Sequence, residues 1–407
     1  MVIETPRNII NEISKNLTNS YKLNFDKRKI PLTLKDVIIN EENVAQNEEQ
    51  IHGELFEKSS RFINTKKIKE IKNSFIIGID SSSRAIITPA ADIMISAVSV
   101  SGQGPVELCD WPTIYPNLPC NIIKPIPFLY IASDDISISE SVRDSVFQTS
   151  SLNNEEELSK IMDYSRLRLE TWALYEPSKA IGDFYINNDK NFIVLLDGPV
   201  YLLEGKNDDI RYNLMKERAE AINSLEKNNI PVIGVVKRLE RSKIISKINN
   251  VQQIINNCIG NTFNYNDSFI IQKLLYSSCI EFSYGKIYSS LKLKLKYNGL
   301  EKIVEYIAIP PGKYQYNWNR GRIFRLEYTE NTYEILKEND IEPAQVLVND
   351  SIIKQALEPI TIAQSDKRSK MITQVFKDLL ISSIMERQLP ISYDSFREIE
   401  GKIFNKY

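Results

Sequence analysis

Two short apolar runs, each followed by an aspartate, dominate the hydrophobic pattern of the chain. Residues 75–79 lead into Asp80 in FIIGIDSSSR, and residues 192–196 lead into Asp197 in FIVLLDGPV. Uninterrupted apolar runs of this length are typical of strands buried on both faces. We therefore predict two central strands, each of which ends at an aspartate and presents its carboxylate at the carboxyl end of the strand.

The neighbouring segments predict how these strands are connected. Residues 93–102, IMISAVSVSG, form a further predicted strand that a short turn would pair antiparallel with the first. After Asp197, residues 211–229 predict an amphipathic helix and residues 231–236 a third buried strand, which ends at Lys237. A strand, a helix and a strand at this spacing form a parallel crossover unit, so we expect a mixed sheet.

A further helix is predicted from Asn153 onward, with acidic residues in its first turn and Pro177 breaking its later course. Glu170 shares a face of this helix with Leu167, so its carboxylate would lie among apolar side chains. A buried carboxylate is costly unless it is paired or bound to a metal. We therefore predict Glu170 as a third metal ligand, with Glu176 as the alternative.

Carboxylates in this arrangement indicate a hard metal ion. Asp80 and Asp197 at neighbouring strand ends would repel each other unless a cation lies between them. Two simpler interpretations stay open. The aspartates would only cap turns, since Asp followed by Gly or Ser is common in turns, and Glu170 would only pair with Arg166 or Arg168.

The remaining segments predict the domain organisation. Residues 1–72 are expected to be mostly helical and charged, with His52 in a polar, helix-like stretch, and residues 73–390 to form the main domain. Within that domain, the proline-rich residues 101–155 predict a long excursion around the sheet edge, because proline removes hydrogen-bond donors from a strand. Residues 391–407 would form a C-terminal tail.

Composition narrows the possible chemistry. The 407 residues, 42% hydrophobic and 26% charged, can bury a full core, and the net charge of −2 leaves any nucleic-acid contact to a local patch. The only histidine, His52, lies in a polar stretch where a surface or interhelical role is expected, which argues against Ser-His-Asp triads, Cys-His pairs and histidine-rich zinc sites, so the chemistry is expected to use carboxylates. Four scattered cysteines predict buried free thiols. The chain has no apolar stretch of ~20 residues and no signal-peptide core, which predicts a cytoplasmic protein with no membrane contact.

Two basic stretches predict contacts with phosphodiester substrates. Residues 237–243 bring four basic side chains to the sheet edge of the predicted metal site, where phosphate oxygens need countercharge, or else form only the solvated start of a basic helix. In GKYQYNWNRGR, Tyr314, Tyr316 and Trp318 alternate, which on a strand puts three rings on one face for base stacking or, alternatively, under a sheet as core. The predicted nucleic-acid contacts are Arg84, Arg238, Arg241, Tyr316, Trp318 and Arg325.

The order of the motifs GIDSSSR, LLDGPV and VIGVVKR, followed by IFRLEY with Arg325 and Glu327 and by EPITIAQSDKRSK with Asp366, resembles the NurA nucleases. These are archaeal and bacterial proteins with a ribonuclease-H-like core that pair with the hexameric HerA ATPase. The resemblance covers most of residues 70–390. The chain is longer than a typical member, and residues 101–155 are the predicted extra part.

The resemblance implies an α/β fold with a ribonuclease-H-like mixed β-sheet flanked by helices, an N-terminal helical segment and an inserted loop region. It implies a metal-dependent DNA nuclease, of single-strand endonuclease and 5′–3′ exonuclease type, that acts as a homodimer with a HerA-like hexameric ATPase in DNA end resection and double-strand break repair. The expected cofactor is Mn²⁺ or Mg²⁺. By resemblance the metal ligands are Asp80, Glu170, Asp197 and Asp366, with Lys237 as a partner of phosphate or hydroxide.

Three features keep alternatives open. Glu358 occupies a position that related chains fill with an aromatic residue, often tyrosine, which favours a catalytically weakened adaptor that binds DNA or the ATPase. A phosphotransferase or phosphatase would use a similar carboxylate site, although the chain has no recognisable nucleotide-binding loop. Asp366, together with Ser365, also suits the N-cap of the helix that follows.

The N-terminal segment is the last candidate interface. Its apolar side chains Val2, Ile3, Ile9, Ile10 and Ile13 would pack on a second protomer or a HerA-like ring, or else on their own domain. The first interpretation predicts that deletion of residues 1–13 weakens dimerisation or ATPase binding.

Overall fold

The computed structural model describes residues 6–23, 52–57, 59, 61–66, 69–72, 74–88, 91–102, 109–113, 126–134, 136, 140–150, 152, 155–185, 191–202, 209–240, 242–262, 265–277, 279–280, 286–297, 299–309, 322–351, 356 and 358–387. Several predicted features lie outside these residues, namely Arg241, the rings of Tyr314, Tyr316 and Trp318, and the tail 391–407. The side chain of Glu176 also lies outside the described part.

A single mixed sheet forms the centre of the described structure. Its strands are β1 (His52–Leu55), β2 (Ile63–Lys66), β3 (Ser74–Ile87), β4 (Asp92–Gly102), β5 (Cys109–Trp111), β6 (Leu129–Ala132), β7 (Val146–Thr149), β8 (Asn191–Asp197), β9 (Val232–Val236), β10 (Ile287–Ser290), β11 (Leu293–Tyr297), β12 (Leu300–Ile309) and β13 (Arg322–Tyr328). The helices are α1 (Pro6–Leu23), α2 (Glu155–Tyr185), α3 (Asp209–Glu226), α4 (Asn249–Ile259), α5 (Asp267–Leu275), α6 (Glu330–Glu338), α7 (Pro343–Asp350) and α8 (Ile360–Glu386). Among the described helices, none is long and apolar enough to cross a membrane.

The strand order is β1-β11-β12-β13-β9-β8-β3-β4-β6-β7, with β10 paired to β12 and β2, and β5 paired to β4. The strands β3, β8 and β9 run parallel to one another, β6 is parallel to β7, and the other described pairs are antiparallel. The predicted crossover from β8 through α3 to β9 and the antiparallel pairing of β3 with β4 are therefore confirmed. The sheet is mixed, as the pattern of apolar runs predicts.

Helices cover both faces of the central strands, which explains the continuous apolar runs. Along β8, Val194 packs into a core lined by α2 and α3, whereas Leu195 packs on the opposite face into a core lined by α6 and α7. α8 crosses β3 and β4 and reaches both cores, with Ile362 on one side and Phe376 on the other. Strands buried on both faces have no polar side to present to solvent.

The N-terminal segment packs on its own domain. α1 lies against α8, and its side chains Ile9, Ile10 and Ile13 belong to the main core, where each is at most 3% exposed. The second-protomer interpretation is therefore wrong for these three residues, because their apolar surface is already covered. Val2 and Ile3 lie outside the described residues.

Two secondary-structure predictions are wrong. The stretch around His52 is a strand, in which His52 pairs with Lys296 of β11, because long-range pairing outweighs the local helical pattern. α2 continues through Pro177 to Tyr185 instead of breaking there.

The proline-rich region 101–155 contributes more regular structure than predicted. In its described part, β5 pairs with β4, and β6 and β7 extend the sheet edge.

The prediction of free thiols is also wrong. Cys258 and Cys279 form a disulfide with a Cα–Cα distance of 5.9 Å, and Cys109 is disulfide-bonded as well. Their sequence spacing carries no sign of this pairing, because the bond joins the end of α4 to the segment after α5 and depends on how these elements fold back on each other.

Candidate metal centre

The two predicted aspartates lie where the parallel pairing of β3 and β8 ends. The last paired residues are Ile79 and Leu196, immediately before Asp80 and Asp197. β8 ends there, but β3 continues through Ile87 because it remains paired with β4. The prediction that the first strand ends at Asp80 is therefore wrong, although both carboxylates lie side by side at the carboxyl end of the parallel pair.

The third carboxylate comes from α8, which lies directly on β3 at Gly78. A Cβ atom at Gly78 would lie 2.4 Å from the backbone of Thr361, and Ser365 donates a hydrogen bond of 2.8 Å from Oγ to the carbonyl oxygen of Gly78. Asp350 caps the start of the helix by accepting a hydrogen bond of 3.1 Å from the backbone N–H of Thr361. Only a glycine allows this close approach, which brings Asp366 over the strand ends.

The helix-cap interpretation of Asp366 is wrong, because α8 begins at Ile360 and Asp366 lies in its second turn. Its carboxylate pairs instead with Lys370, one turn further along the same helix. Burial by itself would raise the pKa of Asp366, but the hydrogen bonds and positive charge of Lys370 hold it below its ordinary value. Asp366 is therefore ionised and available at the site.

Asp80, Asp197 and Asp366 offer oxygen atoms that all lie within 4.8 Å of one another. Asp80 is 2% exposed, and its Oδ1 accepts a hydrogen bond of 2.7 Å from the Ser81 N–H. Its other oxygen, Oδ2, is buried without a hydrogen-bond partner among the described residues. Burial and then the charge of Asp197 raise the pKa of Asp80 well above its ordinary value. A cation at this point would satisfy the orphaned oxygen and offset the repulsion.

Lys237 follows β9 directly and lies between two carboxylates. Its ammonium group is 2.8 Å from Asp197 Oδ2 and 3.0 Å from Glu358 Oε2. Burial by itself would lower the pKa of Lys237, but Asp197 and Glu358 outweigh burial and raise it above the ordinary value of a lysine. Lys237 is a fixed positive charge at the metal centre. Glu358, which the sequence marks only as a departure from the family pattern, is its second partner.

Glu170 is not among the three converging carboxylates. It is buried, as predicted, but Arg218 of α3 pairs with its Oε2 at 3.1 Å, and Ser81 donates to its Oε1 at 2.5 Å. The partner is thus neither Arg166 nor Arg168. Arg166 donates instead, through Nε, to the Ser81 hydroxyl at 3.4 Å. Glu170 is linked to Asp80 through Ser81, and its negative charge adds to the effects that raise the pKa of Asp80.

Arg218 is a residue that the sequence analysis missed. It is 1% exposed and shares a helical face with the buried residues Met215 and Ile222. An arginine on an apolar stripe needs a buried anionic partner. This periodicity is the signal that could have identified the partner of Glu170.

Contacts with β9 and β13 hold the loop after Asp197 in place. Gly198 has a φ of +104°, and a Cβ at Gly234 of β9 would lie 2.7 Å from the Gly198 carbonyl oxygen, so both positions require glycine. Glu327 of β13 accepts a hydrogen bond of 3.2 Å from the backbone N–H of Val200, and Lys302 of β12 pairs with Glu327 at 2.6 Å. Lys302 and then Arg325 outweigh the effect of burial and hold the pKa of Glu327 below its ordinary value.

The prediction that Arg325 contacts nucleic acid is wrong. Its side chain is 12% exposed and lies 2.9 Å from Glu327, and it donates a hydrogen bond of 2.7 Å to Ser242. An arginine committed to these partners supports the loops around the site and does not present its guanidinium to nucleic acid. Two other residues predicted to contact nucleic acid reach the surface: Arg238 is exposed and Arg84 is partly exposed. Their contact with nucleic acid stays a prediction.

The three converging carboxylates fit a hard divalent cation. They supply only oxygen ligands, which suit Mg²⁺ and Mn²⁺, and the described residues around them add no sulfur or imidazole ligand. The buried Oδ2 of Asp80, which has no hydrogen-bond partner among the described residues, suits a ligand atom for such a cation.

Comparison with known proteins confirms the resemblance to the NurA family. The sequence model of the NurA domain matches residues 127–371, which leaves Asp80 before the matched range. Similar solved structures include the NurA nuclease from Sulfolobus solfataricus (12% identity, TM-score 0.40, 80% of this chain and 88% of that chain covered). They also include a NurA with manganese (10% identity, TM-score 0.36, 78% of this chain and 91% of that chain covered). A third is a NurA bound to dAMP and manganese (9% identity, TM-score 0.36, 74% of this chain and 86% of that chain covered). No curated protein matches the chain. Because the domain match spans more than half of its 407 residues, the chain belongs to the NurA domain family.

Proposed function

We propose that this protein is a metal-dependent nuclease that hydrolyses phosphodiester bonds in DNA. The observation that carries the proposal is the convergence of Asp80, Asp197 and Asp366 within 4.8 Å, with one buried carboxylate oxygen lacking a partner. Membership of the NurA family supports the same activity.

Each residue of the site has a distinct role in the proposed reaction. Asp80, Asp197 and Asp366 hold one or more divalent cations, and a bound cation supplies a Lewis acid for the phosphodiester and for the attacking water. Lys237 remains charged and lies beside the cation site, where it stabilises negative charge that develops on the phosphate. Glu170 orients Ser81, whose backbone N–H holds Asp80.

The finer features of the proposal rest on the resemblance to the family. They are a preference for Mn²⁺ or Mg²⁺, single-strand endonuclease and 5′–3′ exonuclease activity, and a ribonuclease-H-like core. They also include a homodimer that acts in the cytoplasm with a HerA-like hexameric ATPase during DNA end resection. The domain limits 1–72, 73–390 and 391–407 belong to the same proposal.

The decisive experiment is cleavage of labelled single- and double-stranded DNA with Mn²⁺ or Mg²⁺, with and without a chelator. We expect metal-dependent cleavage that Asp366→Asn abolishes. Asp378→Asn is the matched control, because Asp378 lies on the same helix but is exposed and bonded to Gln374. Equal activity of both variants contradicts the site. Hydrolysis of a phosphate monoester without cleavage of DNA would indicate a phosphatase instead.

A catalytically weakened adaptor is the second candidate. The observation that favours it is that the positive charge of Lys237 is already paired with two carboxylates, those of Asp197 and Glu358. In that case the wild-type protein binds DNA without cutting it, and Glu358→Gln, which frees part of the lysine charge, produces cleavage. Efficient cleavage by the wild-type protein removes this candidate.

A further inference from the structure

One face of α5 exposes an unusual set of aromatic side chains. Phe269 and Tyr276 are 40% and 63% exposed, although both are large apolar residues. Phe269, Lys273 and Tyr276 are spaced by three or four residues and therefore lie on the same side of the helix, and Tyr265 lies just before its N-cap. The rings of Tyr265 and Phe269 are 4.8 Å apart, and the Lys273 ammonium lies 4.6 Å and 5.4 Å from their centroids. We call these four residues the α5 face.

The segment that carries the α5 face is basic in a protein with a net charge of −2. Residues 237–277 contain six lysines and arginines but only two acidic residues, Glu240 and Asp267. Asp267 is fully buried and accepts hydrogen bonds from the backbone N–H groups of Ile244 and Ile245, so its charge is not presented to solvent. Lys237 is already paired with Asp197 and Glu358, so the described side chains that the segment presents to solvent include exposed Arg238 and Lys243 and half-buried Lys273, against exposed Glu240.

The start of α5 is bonded to the segment that follows Lys237. Asn266, the N-cap of α5, donates a hydrogen bond of 2.8 Å to the carbonyl oxygen of Glu240. Glu240 follows Lys237 by three residues, so their Cα atoms are at most about 11 Å apart. At the other end of α5, the disulfide between Cys258 and Cys279 ties the chain back to α4. Both ends of α5 are therefore anchored, and its first turn begins next to the chain that follows Lys237.

We propose that the α5 face binds single-stranded nucleic acid next to the metal centre, an inference that rests on the proposed function for its choice of substrate. Exposed aromatic rings stack on bases of any sequence, and flanking cations bind the phosphates of the same strand. Arg238 and Lys243, which lie between Lys237 and α5 in the sequence, are exposed, form no ion pair within the described part and offer positive charge to the phosphates of the strand. The combination of rings, cations and rigidity distinguishes this occupant from a purely apolar partner.

The test measures binding of a fluorescent single-stranded oligonucleotide in the presence of a chelator, so that cleavage plays no part. We expect Phe269→Ala with Tyr276→Ala to weaken binding by about tenfold or more, as for lost base stacking. We expect Lys273→Ala to reduce the slope of log Kd against log salt by about 0.7, as for one lost contact with a single-strand phosphate.

The matched control is Phe147→Ala. Phe147 is 43% exposed and also lies beside a cation, with Arg168 6.0 Å from its ring, but it belongs to β7 at the far edge of the sheet. Binding that is absent in the wild-type protein, or unchanged in the α5 variants, overturns the proposal. A change in oligomeric state without a change in DNA binding would identify the face as a contact between copies of the chain and would also overturn it.

The same variants separate this inference from the proposed function. If the protein is a nuclease, the α5 variants lose activity on long single strands but retain it on a dinucleotide too short to reach the face. If the wild-type protein cleaves neither substrate, the nuclease proposal fails, while the binding measurement still decides the role of the α5 face.

Discussion

At the scale of single residues, the electrostatic balance of the site depends on which charges have partners. Asp197 is paired with Lys237, and Asp366 with Lys370, but Asp80 keeps a buried oxygen without a partner in the described part of the chain. Asp80 is therefore the residue at which a cation changes the free energy most.

Asp80→Asn should leave the metal-free protein at least as stable as the wild type at pH 7. Burial and Asp197 disfavour the ionised carboxylate, and the amide removes that charge. The wild-type protein should gain thermal stability from Mn²⁺, whereas the variant should not. Thermal denaturation in a chelator and in Mn²⁺ measures both effects. A variant that is markedly less stable without metal would show that Asp80 has a structural role instead.

Lys237→Ala should slow cleavage by about tenfold or more while it weakens DNA binding much less, because a charge beside the metal acts chiefly on the transition state. Single-turnover rates and binding curves separate the two effects. Lys227→Ala is the control, since Lys227 is exposed in the turn after α3. An effect confined to affinity, with the salt slope reduced by about one, would make Lys237 a binding residue.

At the scale of elements, the packing of α8 on β3 assembles the site. The helix approaches the strand at Gly78, is capped by Asp350 and extends over the strand ends with Asp366. The position of the third carboxylate therefore depends on a contact between two backbones. A small movement of the helix would separate Asp366 from the aspartates of the sheet.

Gly78→Ala should weaken metal binding as well as stability, since its Cβ would lie 2.4 Å from the Thr361 backbone and force α8 away from β3. Such overpacking costs about 1–3 kcal/mol. Gly53→Ala is the control, because the nearest atoms to its Cβ belong to the side chains of Ile248, at 2.7 Å, and Leu295, at 3.1 Å, and not to backbone. Urea denaturation and Mn²⁺ titration should show a loss of metal affinity only in Gly78→Ala. Unchanged metal affinity in that variant would contradict the role of the helix contact.

At the scale of the whole molecule, the N-terminal helix is part of the main core. α1 covers α8 with Ile9, Ile10, Ile13 and Leu17, all of which are buried by their own chain. It therefore contributes to the stability of the helix that carries Asp366.

Ile13→Ala should lower the free energy of unfolding by about 2–5 kcal/mol, the usual cost of removing a large apolar side chain from a core. Ile210→Ala should have little effect, because Ile210 is 59% exposed. Chemical denaturation of both variants provides the measurement. If the Ile13→Ala variant were stable but had an altered oligomeric state, α1 would be an interface between protomers and not part of the core.

The local sequence pattern determined the central part of the fold. Apolar runs of five residues followed by aspartate identified β3 and β8, and the amphipathic segment between two such runs identified the parallel crossover to β9. These features are readable because strand burial and helix amphipathicity are encoded in neighbouring residues. The same local pattern shows that Asp80 and Asp197 each follow a buried strand, and the parallel pairing of β3 with β8 brings them together.

Only the tertiary structure decided which charged groups meet. Glu170 lies on a buried stripe, as its spacing predicts, but the position of α3 gives it Arg218 as a partner. Arg325 lies in a basic stretch of sequence, yet β13 buries it beside Glu327. The distance between two side chains far apart in the sequence depends on how whole elements pack. Periodicity shows which face a residue occupies, and packing determines what that face meets.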